Sequence, residues 1–195
     1  MLSLTLENLP VHFDNPDFRN DALGTIQQSV TKIRNMVSQL SLLSQKLELN
    51  RSEADLNEIV AATLSSLNGC VKISLLQDLR PVPRMAVDSE QIQKVLTNLV
   101  LNANEAVGEG GEIRVATKQT DGWVMLSVSD NGCGMSKEFV EHSLFHPFKS
   151  TKKGGMGIGL FHSKMIVEAH QGRIEVESEE GRGTTFRVFL PMAGK

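Results

Sequence analysis

From Leu23 onward, apolar side chains recur in alternating steps of three and four: Leu23, Ile26, Val30, Ile33, Val37, Leu40 and Leu47, with Leu43 one place off the repeat. A seven-residue repeat of this kind predicts a helix of roughly 30 residues, about 45 Å long, with one narrow apolar stripe. Such a stripe suits a helical bundle or a dimer better than a globular core. A long capping helix packed on its own domain is the plainer alternative. Asn15 is placed to cap the helix, Pro16 fits its first position, and Asp17 lies near its positive end. Residues 1–13 are apolar-rich and read as the end of a preceding helix, with His12 and Phe13 at its close.

Beyond Asn50 the periodicity changes. Residues 55–67 predict an amphipathic helix ended by Asn68-Gly69, residues 71–77 a short strand, Pro81-Val82-Pro83 a loop, and residues 85–87 a brief strand. Asp88 and Gln91 have capping-box-like spacing and open a helix to about Val107, where Gly108-Glu109-Gly110-Gly111 breaks it. Strands over 113–120 and 123–129 flank Asp121-Gly122, a strong hairpin signal, and a second hairpin joins 173–178 to 184–190 through Glu180-Gly181-Arg182-Gly183. Between the hairpins lie two glycine clusters and a helix from about Gly159 to Ala169. Helices and strands are segregated along the chain, which gives an α+β class with helices layered on a largely antiparallel sheet.

Composition narrows the function classes. With 40% hydrophobic and 22% charged residues, the 195-residue chain has an ordinary globular balance, and its net charge of -3 makes no case for nucleic acid. Cys70 and Cys133 fit neither a metal spacing nor a disulfide framework, so a reducing, cytoplasmic setting is expected. No apolar run approaches the roughly 20 residues of a membrane helix. A membrane-anchored parent protein is compatible with that.

Three stretches carry chemistry. Asn98, Asn102 and Glu105 stand at i, i+4 and i+7, on one face of the helix after Asp88. An asparagine oxygen on a rigid helix can ligate Mg²⁺, though a pair of buried amides bonded to nearby backbone is the alternative. Asp130, at the end of a strand, can accept from an exocyclic amine, with Gly132 and Gly134 letting a flat base approach; a plain Asp-Asn-Gly turn is the alternative. Gly155-x-Gly157-x-Gly159 precedes a helix and lacks the context of a dinucleotide-binding or Walker loop. Its backbone N–H groups, with Lys149, Lys152 and Lys153, suit an anion, against the alternative of a solvated surface loop. Phe145 and Phe148 around Pro147 are anchors for that loop or simple core contacts. His142, His146, His162 and His170 have no metal or triad context, so ordinary roles are expected of them.

Taken in order, Asn98-Leu99-Val100-Leu101-Asn102-Ala103, Asp130-x-Gly132-x-Gly134, Phe145-x-Pro147-Phe148, Gly155-x-Gly157-x-Gly159-Leu160 and Gly181-x-Gly183-Thr184-Thr185-Phe186 resemble the N, G1, F, G2 and G3 boxes of the sensor histidine kinase ATP-binding domain. This is the Bergerat fold shared with gyrase, Hsp90 and MutL, an α/β sandwich. The resemblance spans about residues 55–191. It implies ATP and Mg²⁺ as cofactors, with Asn102 on the metal and Asn98 assisting at the phosphates. Asp130 would read the adenine amino group, surrounded by Gly132, Gly134 and Thr184. Residues 144–158 would form a lid, with Lys152, Gly155, Gly157, Gly159 and Leu160 about the phosphates. The role of Glu105 is open, since many members carry a lysine there. Asn98 stands where hydrolytic relatives carry a general-base glutamate, which favours transfer to a protein acceptor over ATPase-driven motion.

The resemblance also implies a division into residues 1–50, a partial dimerisation and phosphoacceptor hairpin, and residues 51–195, the catalytic domain. Its partners would be a response regulator and a second copy of the chain bound through the N-terminal helix. No histidine here is followed by Asp or Glu in the expected place, so the phosphoacceptor is expected upstream of Met1 and the chain as it stands is not expected to label itself. An anti-sigma-factor-like serine kinase and a non-catalytic nucleotide-sensing dimerisation module are the alternatives. Within the family, the sequence resembles soluble-tailed kinases of the PEP-CTERM exopolysaccharide type.

Overall fold

The computed structural model describes residues 2–44, 47–67, 74–152 and 157–192. Asn68, Gly69, Cys70, residues 71–73, Lys153 and Gly155 lie outside the described residues, as do the side chains of Val37, Leu40 and Leu43. Contacts divide the chain into two compact units, Met1–Lys46 and Leu47–Lys195.

In the first unit α1 (Leu2–His12) and α2 (Pro16–Ser44) meet at a short turn. Asn15 caps α2 as its sequence position predicts, its Oδ1 accepting from Asp17 N at 3.0 Å and Phe18 N at 3.3 Å. The His12 ring lies 5.3 Å from that of Phe18, tilted by 50°. Leu23, Val30 and Ile33 of the apolar stripe are exposed on the single chain. Leu47, read above as the last residue of the stripe, follows the helix instead and packs on the core of the second unit.

The second unit runs β1 (Ser52–Ala54), α3 (Leu56–Ser66), β2 (Ser74–Leu79), β3 (Met85–Val87), α4 (Ser89–Ala106), β4 (Glu112–Thr120), β5 (Trp123–Asp130), α5 (Lys137–His142), α6 (Gly159–Ala169), β6 (Arg173–Glu179) and β7 (Gly183–Pro191). Five strands form one sheet in the order β2-β4-β5-β7-β6, parallel at β2–β4 and antiparallel elsewhere. Period-two alternation puts Ile113 and Val115, then Val124, Leu126 and Val128, then Phe186, Val188 and Leu190, on one buried face. Against it pack Leu56, Val60 and Leu64 of α3, Leu96, Leu99 and Val100 of α4, and Ile166 and Val167 of α6. Asp130 follows Val128 on that face and pairs with Thr184, which precedes Phe186. Both residues therefore sit where the sheet's buried face runs out beneath the helices.

A small antiparallel β1–β3 pair, which the sequence did not announce, sits apart from this sheet. It leads into Asp88, whose carboxylate accepts from Asn50 N at 2.9 Å and, as the α4 cap, from Gln91 N at 3.1 Å. The Asp88 N–H donates to His170 Nε2 at 3.0 Å, and His170 Nδ1 lies 2.8 Å from the Ile166 carbonyl. That arrangement needs a neutral ring with its proton on Nδ1. Burial, then the charge of Arg51, pushes His170 below the ordinary value of 6.5, against the upward pull of Ile166 and Asp88. Burial and Lys94 do the same to His162.

A depressed folded-state histidine pKa contributes stability that is present above the unfolded value and lost as pH falls below about 6.5. The thermal midpoint should therefore drop between pH 7.5 and pH 5.5. A His162→Asn/His170→Asn variant should show a flatter dependence on pH whatever its absolute midpoint. An unchanged slope would contradict this origin.

Candidate functional site

The first half of the site is built at the end of β5. The Asp130 carboxylate accepts from Gly132 N at 2.9 Å, folding the chain sharply after the strand. Burial raises the Asp130 pKa above the ordinary 3.8, against the opposing pull of Gly132, Thr184 and the Lys152 charge. The loop is locked on both sides. Cys133 N donates to Ala106 O at 3.0 Å, and Gly181 N donates to Cys133 O at 2.8 Å. Met135 N donates to Ser178 Oγ at 2.9 Å, and that hydroxyl lies 2.9 Å from Thr184 Oγ1. Ser178 thus ties the glycine loop to Thr184, and an open cleft of about 280 Å³ lies between Asp130 and the second hairpin, lined also by Glu177, Glu179, Arg182 and Thr185.

The glycines here serve chain packing as well as access. A Cβ on Gly132 would lie 2.5 Å from Ala106 O, and one on Gly134, at φ 64°, would lie 2.0 Å from Glu179 O. Gly134→Ala should cost about 2–4 kcal/mol, from the left-handed backbone and the clash together. Chemical denaturation that shows a loss under 1 kcal/mol would contradict that packing role.

The second half lies on α4 and on the segment before α6. Asn98 Nδ2 donates to Ser163 Oγ of α6 at 3.0 Å, which satisfies that amide group. Its Oδ1 faces the start of α6, where a Cβ on Gly159 would come within 2.2 Å. The α6 start has Ile158 at its cap with no side-chain cap bond, so its first N–H groups are available to an anion. Leu144 is buried and Phe145 packs on the core beneath Lys164, whose Nζ lies 5.4 Å from the ring. Phe148 is exposed with φ 66°, so of the two phenylalanines only Phe145 anchors the segment. Phe148 N donates to Gly157 O at 3.0 Å.

Lys152 lies against α4. Its Nζ lies 3.0 Å from Asn102 Oδ1 and bonds Glu105 Oε2. The Lys152 charge also pulls the Asp130 pKa down, so the loop lysine is near enough for Asp130 to feel it. Asn102 meets Lys152, Asp130 meets Gly132 and Thr184, and Asn98 meets Gly159; Leu160 opens α6 half-buried. Sequence reasoning missed Ser163 and Ser178. The signal for Ser178 was its place opposite Thr184 across the second hairpin, and for Ser163 its place one turn after Gly159.

Among the described residues no cluster of three or more His, Cys, Asp or Glu could hold a metal. A metal held mainly by phosphate, water and one amide oxygen fits that composition. Asn102 Oδ1 already accepts a cationic group, which is the donor chemistry such a metal needs.

Residues 87–194 match the family described as histidine kinase-, DNA gyrase B- and HSP90-like ATPase. The chain belongs to that family. The sensor histidine kinase ZraS of Klebsiella oxytoca is 37% identical over 169 residues, covering 84% of this chain and 36% of ZraS. The catalytic domain of histidine kinase ThkA, in a nucleotide-free form, superposes with a TM-score of 0.66 at 30% identity, covering 75% of this chain and 97% of that domain. ThkA in complex with the response regulator TrrA gives a TM-score of 0.78 at 24% identity over 98% of this chain and 57% of that one, a likeness of fold. The chain spans between 23% and 42% of the length of such curated relatives. The ATPase-family match confirms the α+β sandwich and the nucleotide-binding class expected from the five boxes. Among the described residues no helix is long and apolar enough to cross a membrane.

Proposed function

We propose that this chain is the ATP-binding catalytic core of a sensor histidine kinase, moving the γ-phosphoryl group of Mg·ATP to a histidine for relay to a response-regulator aspartate. The observation that carries this reading is the Asn102 oxygen on α4 that already holds the Lys152 cation, with the half-buried Asp130 carboxylate at the end of β5 feeling the same charge. Asp130 accepts from the adenine amino group, and Gly132, Gly134 and Thr184 shape the pocket about the ring. Asn102 offers its Oδ1 to Mg²⁺, Asn98 borders the phosphates at the start of α6, and Lys152 exchanges Asn102 for phosphate oxygens. Gly157, Gly159 and Leu160 line the phosphate side. When bound, Mg²⁺ neutralises phosphate charge, and the protein's own contribution is positioning. Asn98 has no basic oxygen to activate water, which favours a protein acceptor.

Residues 1–50 act as part of a dimerisation hairpin, a reading supported by the exposed stripe of Leu23, Val30 and Ile33. The need for ATP and a response regulator puts residues 51–195 in the cytoplasm. The test is to incubate the chain with γ-labelled ATP, Mg²⁺ and a purified hairpin bearing a phosphoacceptor histidine. Acid-labile, base-stable label should appear on the hairpin and pass to a response regulator. Acid-stable label would indicate serine transfer and contradict the proposal.

A further inference from the structure

The lysine of the loop between α5 and α6 does not extend freely into solvent. Lys152 Nζ lies between Asn102 Oδ1, at 3.0 Å, and Glu105 Oε2. The two oxygens come from positions three apart on α4, neighbours on one helical face. A cation therefore already sits between an amide oxygen and a carboxylate oxygen, the hard donors that Mg²⁺ takes. Both side chains of the Lys152–Glu105 pair are more than a third exposed, at 38% and 59%. Solvent screening keeps such a pair weak, so an incoming charge can displace it.

We propose that Glu105 belongs to the cation site: with Asn102 it forms a two-oxygen seat that Lys152 fills when nucleotide is absent and that the divalent cation of Mg·ATP takes over as Lys152 moves to the phosphates. This rests on the nucleotide reading above and assigns Glu105, whose role that reading leaves open. The exchange is favourable in charge at both ends. A doubly charged ion replaces a singly charged one beside the carboxylate, and the ammonium gains phosphate oxygens for the carboxylate it leaves. ATP without metal offers no such exchange. It draws Lys152 away and leaves Glu105 bare beside the phosphates, a like-charge contact. Glu105 thereby makes nucleotide binding depend on the metal. A carboxylate that merely held the loop shut would act differently, weakening metal-free and metal-bound nucleotide alike.

The test compares the affinity of the full chain for AMPPNP in excess Mg²⁺ and in EDTA, by calorimetry, for the wild type, Glu105→Gln, Glu105→Asp and Lys152→Met. The wild type should bind far more tightly with Mg²⁺, and Glu105→Gln should shrink that ratio by about tenfold. Glu105→Asp, which keeps the charge, should restore most of it. Lys152→Met empties the seat, so Mn²⁺ alone should bind this variant more tightly than the wild type, read by loss of the free Mn²⁺ paramagnetic resonance signal. A ratio unchanged in Glu105→Gln, with both affinities shifted equally or not at all, would overturn the seat and leave Glu105 as a latch only. A wild-type chain that binds AMPPNP in neither condition would overturn the nucleotide reading itself, and the seat with it.

Discussion

Asn102→Ala is expected to lower phosphoryl transfer to a supplied histidine hairpin by at least about 100-fold, while the chain stays folded. Asn102 lies half-buried on α4, one turn after Asn98, and its oxygen accepts from Lys152. Removing it takes away the neutral oxygen that would hold the metal, and nothing else on that face replaces it except Glu105. Lys152 keeps its Glu105 partner in the variant. Because no buried hydrogen-bond partner is orphaned, the change in stability should stay within about 0.5 kcal/mol. Label transfer and thermal unfolding, measured side by side, separate the two effects. Transfer within about threefold of wild type would remove Asn102 from the site.

Asp130→Asn is expected to weaken Mg·AMPPNP binding by roughly 30- to 1,000-fold, about 2–4 kcal/mol. Here the chemistry turns on a single acceptor. The carboxylate is held by Gly132 N at the end of β5, beside Thr184 and its hydroxyl partner Ser178. An amide keeps the shape but can present NH₂ to the adenine amino group, so two donors face each other. The raised pKa adds a second readout. Because burial holds Asp130 above 3.8, protonation on acidification begins earlier than for an exposed carboxylate. It converts an acceptor to a donor. Wild-type affinity should fall as pH drops toward that raised value, and the fall should be absent in Asp130→Asn. Calorimetric titration at several pH values reads both.

Much of this site was legible because its residues are tied to local rules. The Asp121-Gly122 hairpin, the Asp88 cap and the glycines before α6 each declare themselves within a few positions, and the five boxes fix their order. What was not legible depends on contacts far apart in the chain. β1 is Ser52-Glu53-Ala54, with no alternation to mark it, and exists by pairing with β3. β2 runs on to Leu79, past the predicted end at Gln77, because β4 offers it a parallel partner that far. Glu105 and Lys152 meet across 47 positions, so no spacing could join them. Gly132 and Gly134 read as places for a base to approach, yet their tightest neighbours are the carbonyls of Ala106 and Glu179. The finer resemblance to the PEP-CTERM type rested on no residue that either sequence or geometry can point to.

Asp130 at the adenine end and Asn102 with Lys152 at the phosphate end should act as a single nucleotide site. The most direct test is a titration of the isotopically labelled chain with Mg·AMPPNP, followed by backbone amide resonances. Saturable shifts are expected at Gly132, Gly134 and Thr184 and at Asn102, Lys152, Gly157 and Gly159, all following one binding curve. Shifts at only one of these two groups, two distinct curves, or no saturable change would contradict a single site.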